Sequence, residues 1–357
     1  MPDAKPNLDW SKVKAFSKQV SIDVGAAMLG AMSYIGDRLG IFKILANTGA
    51  VTVAELAAES GLSERYLREW LSAMAAAGYV TYDASSERFA MPAEHAMVLA
   101  REDSPFFSGG FIEGIIPNLS VTPKVMEAFK TGSGVAQSEY PPETFESMER
   151  SSAAMYRHQL IRKWLPTMPQ VVEILANGGT ALDVGCGSGR AAIALAQAFP
   201  NARIFGFDAH RGSLERARIN ARAAGFEERI TFEVRDCTKL PPAAFDFIST
   251  FDVVHDSIDP LALLRSIRGA LKPAGTYLMV EVNVSSRLED NINPMGRMMY
   301  SMSTLYCMSV SLGGGGAGIG ACMGEEKARE LTREAGFTQF RRLPIEDPFS
   351  ALYELRV

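Results

Sequence analysis

A glycine-rich turn between a strand and a helix constrains the fold of this chain more than any other feature. Residues 180–186 have the apolar pattern of a buried strand, and a helix is predicted from Arg190. Between them, glycines stand at alternate positions: Gly185, Gly187 and Gly189. Glycine adopts the conformations that tight turns need and lets a ligand approach the backbone closely. The helix N-terminus beyond the turn adds unpaired N–H groups and the positive end of a dipole.

Strands and helices alternate after residue 170. Further strands are predicted at 202–208, 230–236, 245–252 and 275–282, with helices between them. A closing pair of strands follows at 339–345 and 350–357, which makes seven strands in all. Alternation of this length predicts an α/β, Rossmann-like, doubly wound parallel sheet, here closed by an antiparallel β-hairpin.

Three successive predicted strands end in an aspartate: Asp183, Asp208 and Asp236. Asp208 can accept hydrogen bonds from both ribose hydroxyls, and Asp236 can accept one from an adenine amino group. Asp183 would lie near an ammonium or sulfonium. A single aspartate of this kind could merely cap a helix. Three aspartates at successive strand ends, the first just before the glycine turn, favour as ligand a nucleoside that carries a cationic group.

Residues 51–91 follow a winged-helix pattern. A capping box at Thr52 and Glu55 starts one helix, a second helix follows Ser63, and residues 79–92 indicate two short strands. The second helix carries two arginines beside two glutamates, Arg65, Arg68, Glu64 and Glu69. A DNA-reading helix normally carries several basic residues. We therefore expect a mainly α module for packing and dimerisation, and no nucleic-acid partner.

Composition narrows the class of protein. The chain has 357 residues, 47% of them hydrophobic and 22% charged, with a net charge of −5, so coating nucleic acid or an anionic membrane is not expected. Four cysteines without CxxC spacing favour a reducing compartment, and no zinc cluster or other metal site is expected. The longest charge-free apolar stretch is shorter than the ~20 residues of a membrane span. We expect a cytoplasmic protein with domains at 1–100, 101–169 and 170–357.

Four motifs, ALDVGCGSGR, FGFDAH, VRDCTKLP and LKPAGTYLMVEV, resemble the class I S-adenosylmethionine-dependent methyltransferases over residues 170–357. The preceding part resembles the N-terminal half of bacterial and plant small-molecule O-methyltransferases, which mediates dimerisation and helps to enclose the substrate. The resemblance implies S-adenosylmethionine as cofactor and a homodimer. It implies these cofactor contacts: Asp183, Gly185, Gly187, Gly189, Asp208 at the ribose, Ala209 beside the adenine, Asp236 and Cys237 at its edge, and Phe251.

The same resemblance points to a base after the fourth strand of the sheet. In plant-type O-methyltransferases a His-Asp pair follows this strand and the histidine is the base, and His255 and Asp256 match that pair. Asp256 or Glu281, at the end of the fifth strand, could orient the ring. The plant pattern has tryptophan after the pair, whereas Ser257 stands here. General base, non-base contact and structural residue therefore stay open as roles for His255.

Residues 295–308 contain five methionines and two tyrosines, which suits either a flexible wall of an apolar cleft or a core helix. The glycine run that follows is interpreted as a lid or its hinge. The predicted substrate contacts are Met299 and Tyr300 here, and Tyr140, Met155 and His158 in the connector.

The predicted function is methyl transfer to a small-molecule acceptor, with a hydroxyl favoured over nitrogen, sulfur or carbon. Two alternatives stay open. One is a winged-helix transcription regulator whose second domain senses a ligand. The other is a methyltransferase-fold enzyme that has been repurposed for a different reaction.

Overall fold

The structure is a computed structural model that describes residues 8–357. The chain divides into two compact units, Met1–Ile116 and Pro117–Val357. Within the described range, the helices all lack the combination of length and apolar character that crossing a bilayer requires.

The N-terminal unit is mainly helical. It begins with a helix of 29 residues whose N-terminus is capped by Asp9, which accepts a hydrogen bond from the Ser11 backbone at 3.0 Å. The elements in chain order are α1 (Trp10–Arg38), α2 (Ile41–Thr48), α3 (Val53–Ser60), α4 (Glu64–Ala76), β1 (Thr81–Asp83), β2 (Arg88–Ala90) and α5 (Ala93–Leu99), followed by α6 (Gly109–Ser120), within which the division between the two units falls.

The winged-helix prediction is confirmed. At the start of α3 the Thr52 hydroxyl accepts from the Glu55 N–H at 3.2 Å, and the Glu55 carboxylate accepts from the Thr52 N–H at 2.8 Å. Strands β1 and β2 pair antiparallel as the wing. Ser63 immediately precedes α4, as the sequence predicts, and its side chain makes no capping hydrogen bond. Leu56, Leu71 and Met74 are fully buried between these helices.

The second unit holds the connector and the sheet. Its elements are α7 (Thr122–Thr131), α8 (Pro142–Met155), a π-helix (Tyr156–Trp164), α9 (Pro169–Ala176), β3 (Thr180–Val184), α10 (Arg190–Ala198), β4 (Arg203–Asp208), α11 (Arg211–Ala223), β5 (Ile230–Val234), β6 (Phe245–Phe251), α12 (Pro260–Ala270), β7 (Leu271–Val282), α13 (Pro294–Leu305), α14 (Cys307–Gly313), α15 (Gly324–Glu334), β8 (Gln339–Arg342) and β9 (Ser350–Arg356).

The seven-stranded sheet has the order β5-β4-β3-β6-β7-β9-β8. Strands β3 to β7 run parallel, β9 pairs antiparallel with β7, and β8 pairs antiparallel with β9. The predicted α/β sheet with its closing hairpin is therefore confirmed. The connections reverse direction between β3 and β6, and in such sheets ligands bind beyond the carboxyl ends of the strands at this point.

One predicted boundary is wrong, because β5 ends at Val234 rather than at Asp236. The chain turns here: the Arg235 N–H donates to the Asp208 carbonyl oxygen at 2.9 Å. Asp236 then caps the turn, accepting from the Thr238 N–H at 3.0 Å and from its hydroxyl at 2.6 Å. Asp236 thus lies beyond the strand.

Candidate functional site

The glycine turn needs its glycines for two physical reasons. Gly185, Gly187 and Gly189 all have positive φ, at 68°, 51° and 76°, where side chains are disfavoured. At two positions a side chain would also collide: a Cβ on Gly185 would lie 2.7 Å from Val253, and one on Gly189 would lie 2.7 Å from Phe232. A Cβ on Gly187 would meet no protein atom within 4 Å. The turn is therefore packed on both sides and open at its middle.

Asp208 at the end of β4 ties that turn to the next strand. Its carboxylate accepts from the Gly187 N–H at 2.8 Å and from the His210 N–H at 2.7 Å. Burial raises the pKa of this carboxyl, and the two backbone donors act against that rise. Each carboxylate oxygen can accept more than one hydrogen bond, so Asp208 keeps acceptor capacity for hydroxyl groups of a ligand.

Asp183 at the end of β3 is buried, with 2% of its surface exposed. Ser249 donates a hydrogen bond to it at 3.3 Å. Burial, together with the nearby Asp208, raises its pKa to about 8. Near neutral pH this carboxyl is mostly protonated, and a cation placed beside it would favour its ionisation.

The other predicted adenine-side residues differ in how close they lie to the turn. Cys237 hydrogen-bonds to the backbone of Gly185, and burial raises the pKa of its thiol to about 12. Ala209 and Asp236 are exposed. Hydrogen bonds from Thr238 and Lys239 lower the pKa of Asp236 to about 2, so its carboxylate is already used by its own turn.

His255 and Glu281 form a buried pair at the ends of two neighbouring parallel strands. His255 follows β6, Glu281 is near the end of β7, and each is 3% exposed. The ring Nδ1 lies 2.5 Å from one Glu281 carboxylate oxygen, while the other oxygen accepts from the Val254 N–H at 2.9 Å. The carboxylate is thus held by the backbone and in turn orients the imidazole.

The pKa of His255 is raised well above that of a free imidazole. Burial lowers this pKa. The Glu281 carboxylate and the Cys307 side chain, which also hydrogen-bonds the ring, together raise it by more than burial lowers it. Asp256, the next residue, has its pKa raised to about 7 by burial, against the opposing effect of His255. The charges of His255, Asp256 and Glu281 therefore influence one another.

One group within residues 8–357 has the spacing of a metal site, although no metal is expected from the sequence. Oxygen and nitrogen atoms of Asp252, His255 and Glu281 all lie within 4.8 Å of one another. Asp252 has a positive φ of 56°, unusual for a residue other than glycine, and its side chain is exposed. Nδ1 of His255 is already hydrogen-bonded to Glu281. A role of this pair in acid–base chemistry therefore does not depend on a metal ion.

Aromatic side chains surround the end of β6. The ring of Phe251 meets that of Tyr156 edge-on, with centroids 4.8 Å apart, and stacks near Trp164 at 6.3 Å. Burial and the charges of Asp183 and Asp252 raise the pKa of Tyr156. Tyr156, which the sequence placed with Met155 and His158 as a residue that could face the substrate cavity, therefore lies near the acids of the site.

The predicted substrate contacts do not converge on one described cluster. Tyr140 is buried against Tyr306, and its hydroxyl donates to the Leu305 carbonyl at 2.8 Å. The Tyr300 hydroxyl accepts from Asn291 at 3.2 Å. The remaining three are Met155, whose sulfur accepts from Ser350 at 3.8 Å, the buried Met299, and the half-buried His158 in the π-helix.

The glycine run after α14 packs against the loop that carries His255. The Gly320 N–H donates to the His255 carbonyl oxygen, and the Ala317 N–H donates to that of Ile258, both at 3.1 Å. A Cβ on Gly316 would lie 2.5 Å from the Ile258 Cα. The absence of side chains therefore permits a close approach of two backbones; the lid interpretation stays a prediction.

Comparisons with known proteins agree with this architecture. Residues 175–347 match the family described as "Methyltransferase domain", and residues 27–101 match the "Rv2258c-like winged HTH domain". O-demethylpuromycin-O-methyltransferase of Streptomyces alboniger is 29% identical over 178 residues, which are 49% of this chain and 44% of that protein. The first curated relatives are covered over only 41%, 52% and 44% of their length.

Two solved structures share the fold across nearly the whole chain. Mitomycin 7-O-methyltransferase MmcR has a TM-score of 0.71 at 20% identity and covers 98% of this chain and 100% of its own. Human N-acetylserotonin methyltransferase in complex with SAM has a TM-score of 0.65 at 18% identity, with 99% of both chains covered. At these identities the likeness shows the fold alone.

Proposed function

We propose that this chain, which combines a methyltransferase domain with an N-terminal winged HTH domain, transfers a methyl group from S-adenosylmethionine to a hydroxyl of a small molecule. The observation that carries the proposal is the buried His255–Glu281 pair, at 2.5 Å, at the ends of β6 and β7 beside the glycine turn. A positioned base of this kind is needed when the acceptor must lose a proton.

The residues around the turn fit the cofactor. Asp208 has acceptor capacity for ribose hydroxyls, and Asp183 is a buried acid whose ionised form a nearby cation would stabilise. The open middle of the turn, at Gly187, lets a ligand approach the backbone. When bound, the cofactor supplies an electrophilic methyl group on a sulfonium. Gly185, Gly189, Ala209, Asp236, Cys237 and Phe251 are proposed as its further contacts.

His255 acts as the general base in this proposal. Its Nδ1 is engaged by Glu281, so Nε2 is the nitrogen that accepts the proton of the acceptor hydroxyl, which takes the place of the Cys307 side chain as the partner of that nitrogen. The Glu281 carboxylate then stabilises the imidazolium, since opposite charges at this distance favour the protonated ring. Asp256 tunes the charge of the pair. Tyr140, Met155, His158, Met299 and Tyr300 stay proposed as acceptor contacts.

The function is tested by the mass of the product. The purified chain is incubated with S-adenosylmethionine and a panel of phenols, alcohols, amines and thiols, and products are analysed by mass spectrometry. A gain of one methyl group on hydroxyl acceptors supports the proposal. Methylation of only amines or thiols would move the acceptor to those atoms. Cofactor binding without any methylated product would favour a repurposed enzyme.

The winged-helix domain is proposed to serve packing rather than DNA binding. On α4 the Arg65 guanidinium pairs with Glu69 at 2.6 Å, and that of Arg68 pairs with Glu64 at 3.1 Å. Neutralised arginines give no basic stripe for a phosphate backbone. A mobility-shift assay with duplex DNA at low salt should show no complex, and a specific shift would favour the regulator alternative.

Homodimerisation through α1 is the first expected result. This helix exposes large apolar side chains, with Trp10 at 66%, Phe16 at 71% and Met28 at 64%, and extensive exposed apolar surface marks an interaction site. A second copy of the chain would cover it. Light scattering at micromolar concentration should give about twice the chain mass of 38.7 kDa, and Phe16→Glu should lower it. A monomeric wild type would contradict this.

Asp208→Ala should weaken cofactor binding about 5- to 150-fold, or roughly 1–3 kcal/mol, because a charged hydrogen-bond acceptor is lost. Calorimetric titration with S-adenosylhomocysteine measures the change without turnover. Asp83→Ala is the matched control, since the exposed Asp83 carboxylate lies at the turn between β1 and β2 and accepts from Ser85 and Ser86 of that turn, and this variant should leave the affinity unchanged. Equal affinity of wild type and Asp208→Ala would remove Asp208 from the site.

A further inference from the structure

Glu149 on α8 is a buried carboxylate that no step of the proposed reaction uses. Only 7% of it is exposed, and three side chains from α10 and α11 donate hydrogen bonds to it. Arg190 contacts one carboxylate oxygen through Nε at 3.0 Å and Nη2 at 2.5 Å, and Asn220 contacts the same oxygen at 2.9 Å. Arg216 donates to the other oxygen at 3.0 Å.

These partners adjoin the glycine turn directly. Arg190 is the residue after Gly189 and the first of α10. The Asn220 amide also donates to the Ser188 carbonyl oxygen at 3.0 Å, and its own oxygen accepts from Arg190 at 3.2 Å. Glu149 is therefore linked to the last part of the turn by two routes, one through Arg190 and one through Asn220.

The helix that carries Glu149 also leads to the other side of the proposed site. α8 continues into the π-helix, whose first residue, Tyr156, meets the ring of Phe251 at the end of β6. His255 follows that strand four residues later. One continuous helical segment thus joins the glycine turn to the region of the proposed base.

Charge makes this link strong. A buried carboxylate between two guanidiniums makes charge-assisted hydrogen bonds, which are shorter and stronger than neutral ones. Removing the charge of the carboxylate would weaken its bonds to both arginines and to the Asn220 amide, so that, among the described residues, Arg190 is held only by Asn220, and Asn220 only by Ser188 and Arg190. Arg190 is at the start of a helix, so its displacement would alter the backbone of the turn.

We propose that Glu149 is a positioning residue, which holds the Ser188–Arg190 segment of the glycine turn in the geometry that binds the cofactor. The inference deepens the proposed function and rests on it for the identity of the cofactor. It predicts that the charge of Glu149 acts on cofactor affinity more than on the chemical step.

The test is Glu149→Gln, which keeps the size of the side chain and removes its charge. The dissociation constant for S-adenosylhomocysteine should rise about tenfold by calorimetry. In turnover the KM for S-adenosylmethionine should rise by a similar factor, while kcat falls less than threefold. Glu149→Asp, which keeps the charge, should recover part of the affinity. If Glu149→Gln does not fold, Arg190→Lys replaces it, because lysine keeps the cation but loses the two-donor contact.

The chain offers a matched control at Glu354 on β9. This glutamate is also buried, and it too is contacted by two arginines and one amide: Arg341, Arg356 and Gln170. Glu354→Gln should lower the melting temperature comparably and leave the dissociation constant unchanged. An unchanged constant in Glu149→Gln, or an equal rise in Glu354→Gln, would overturn the proposal.

The binding readout separates this inference from the proposed function. If the wild type binds S-adenosylhomocysteine but methylates no acceptor, methyl transfer fails and the Glu149 comparison still decides the positioning role. If the wild type does not bind it, both are overturned.

Discussion

His255→Ala is expected to slow methyl transfer about 10²- to 10⁴-fold in a single turnover, with nearly unchanged cofactor affinity. A positioned general base typically contributes a factor of this size, roughly 3–5 kcal/mol of barrier. His255 belongs to the loop after β6 and is held by Glu281, whereas the cofactor contacts belong to the turn after β3. Rapid quenching followed by mass spectrometry of the product measures the rate.

The pH profile tests the same residue independently. Only the neutral imidazole accepts a proton, and the pKa of His255 is raised well above 6.5. The wild-type rate should therefore be low near pH 6.5 and rise as the pH increases through that raised value. Glu281→Gln removes a charge that raises the pKa, so its profile should shift to lower pH. Asp256 has its pKa raised to about 7 in the wild type, so any pH dependence that remains in His255→Ala reports groups other than the imidazole.

A loss of less than tenfold with an unchanged profile would contradict the base assignment. The acceptor would then be a nucleophile that is already deprotonated, such as a thiolate or a free amine. A chelator serves as a further control because Asp252, His255 and Glu281 have metal-like spacing. We expect the wild-type rate to be the same with and without it.

Gly185→Ala should have the second-largest effect. The alanine would have a backbone φ of 68°, and its Cβ would lie 2.7 Å from Val253, so the turn would have to move. A left-handed residue costs about 1–2 kcal/mol, and overpacking adds about 1–3 kcal/mol. The melting temperature of this variant should fall on the order of 10 °C. Cofactor affinity should fall with it, since the displaced backbone is the proposed binding surface.

Gly187→Ala is the matched comparison for this variant. Its φ is also positive, at 51°, but its Cβ would have no protein atom within 4 Å. Gly187→Ala should therefore lose only the free energy of unfolding that a left-handed backbone conformation costs, about 1–2 kcal/mol. Calorimetric melting of the two variants distinguishes them. Equal melting temperatures would mean that the contact with Val253 does not constrain the turn.

The fold was predictable because its signals are local. The alternation of strands and helices depends on neighbouring residues, and it predicted the doubly wound parallel sheet, whose strand order the structure then gave. Glycines at 185, 187 and 189 are written directly in the sequence, and all three have the positive φ that a tight turn requires.

Predictions about side chains had a more mixed outcome. Asp236 was expected at a strand end, but the chain turns two residues earlier and its carboxylate caps that turn. Tyr140 was expected beside a substrate, and its hydroxyl is already bound to the Leu305 carbonyl, 165 positions away in sequence. Glu149 and Cys307 were missed, because no local pattern marks a residue whose partners are distant in sequence.

The sequence by itself determined the α/β sheet, the winged helix, the glycine turn and the placement of His255 after a strand, because periodicity and turn chemistry act over a few residues. Only the tertiary structure decided which groups meet. It brings Glu281 to His255, Asp208 to Gly187, and Arg190 to Glu149. Those contacts shift pKa values and constrain the backbone. They depend on burial and on charged groups from segments that are far apart in the chain, so a short stretch of sequence does not reveal them.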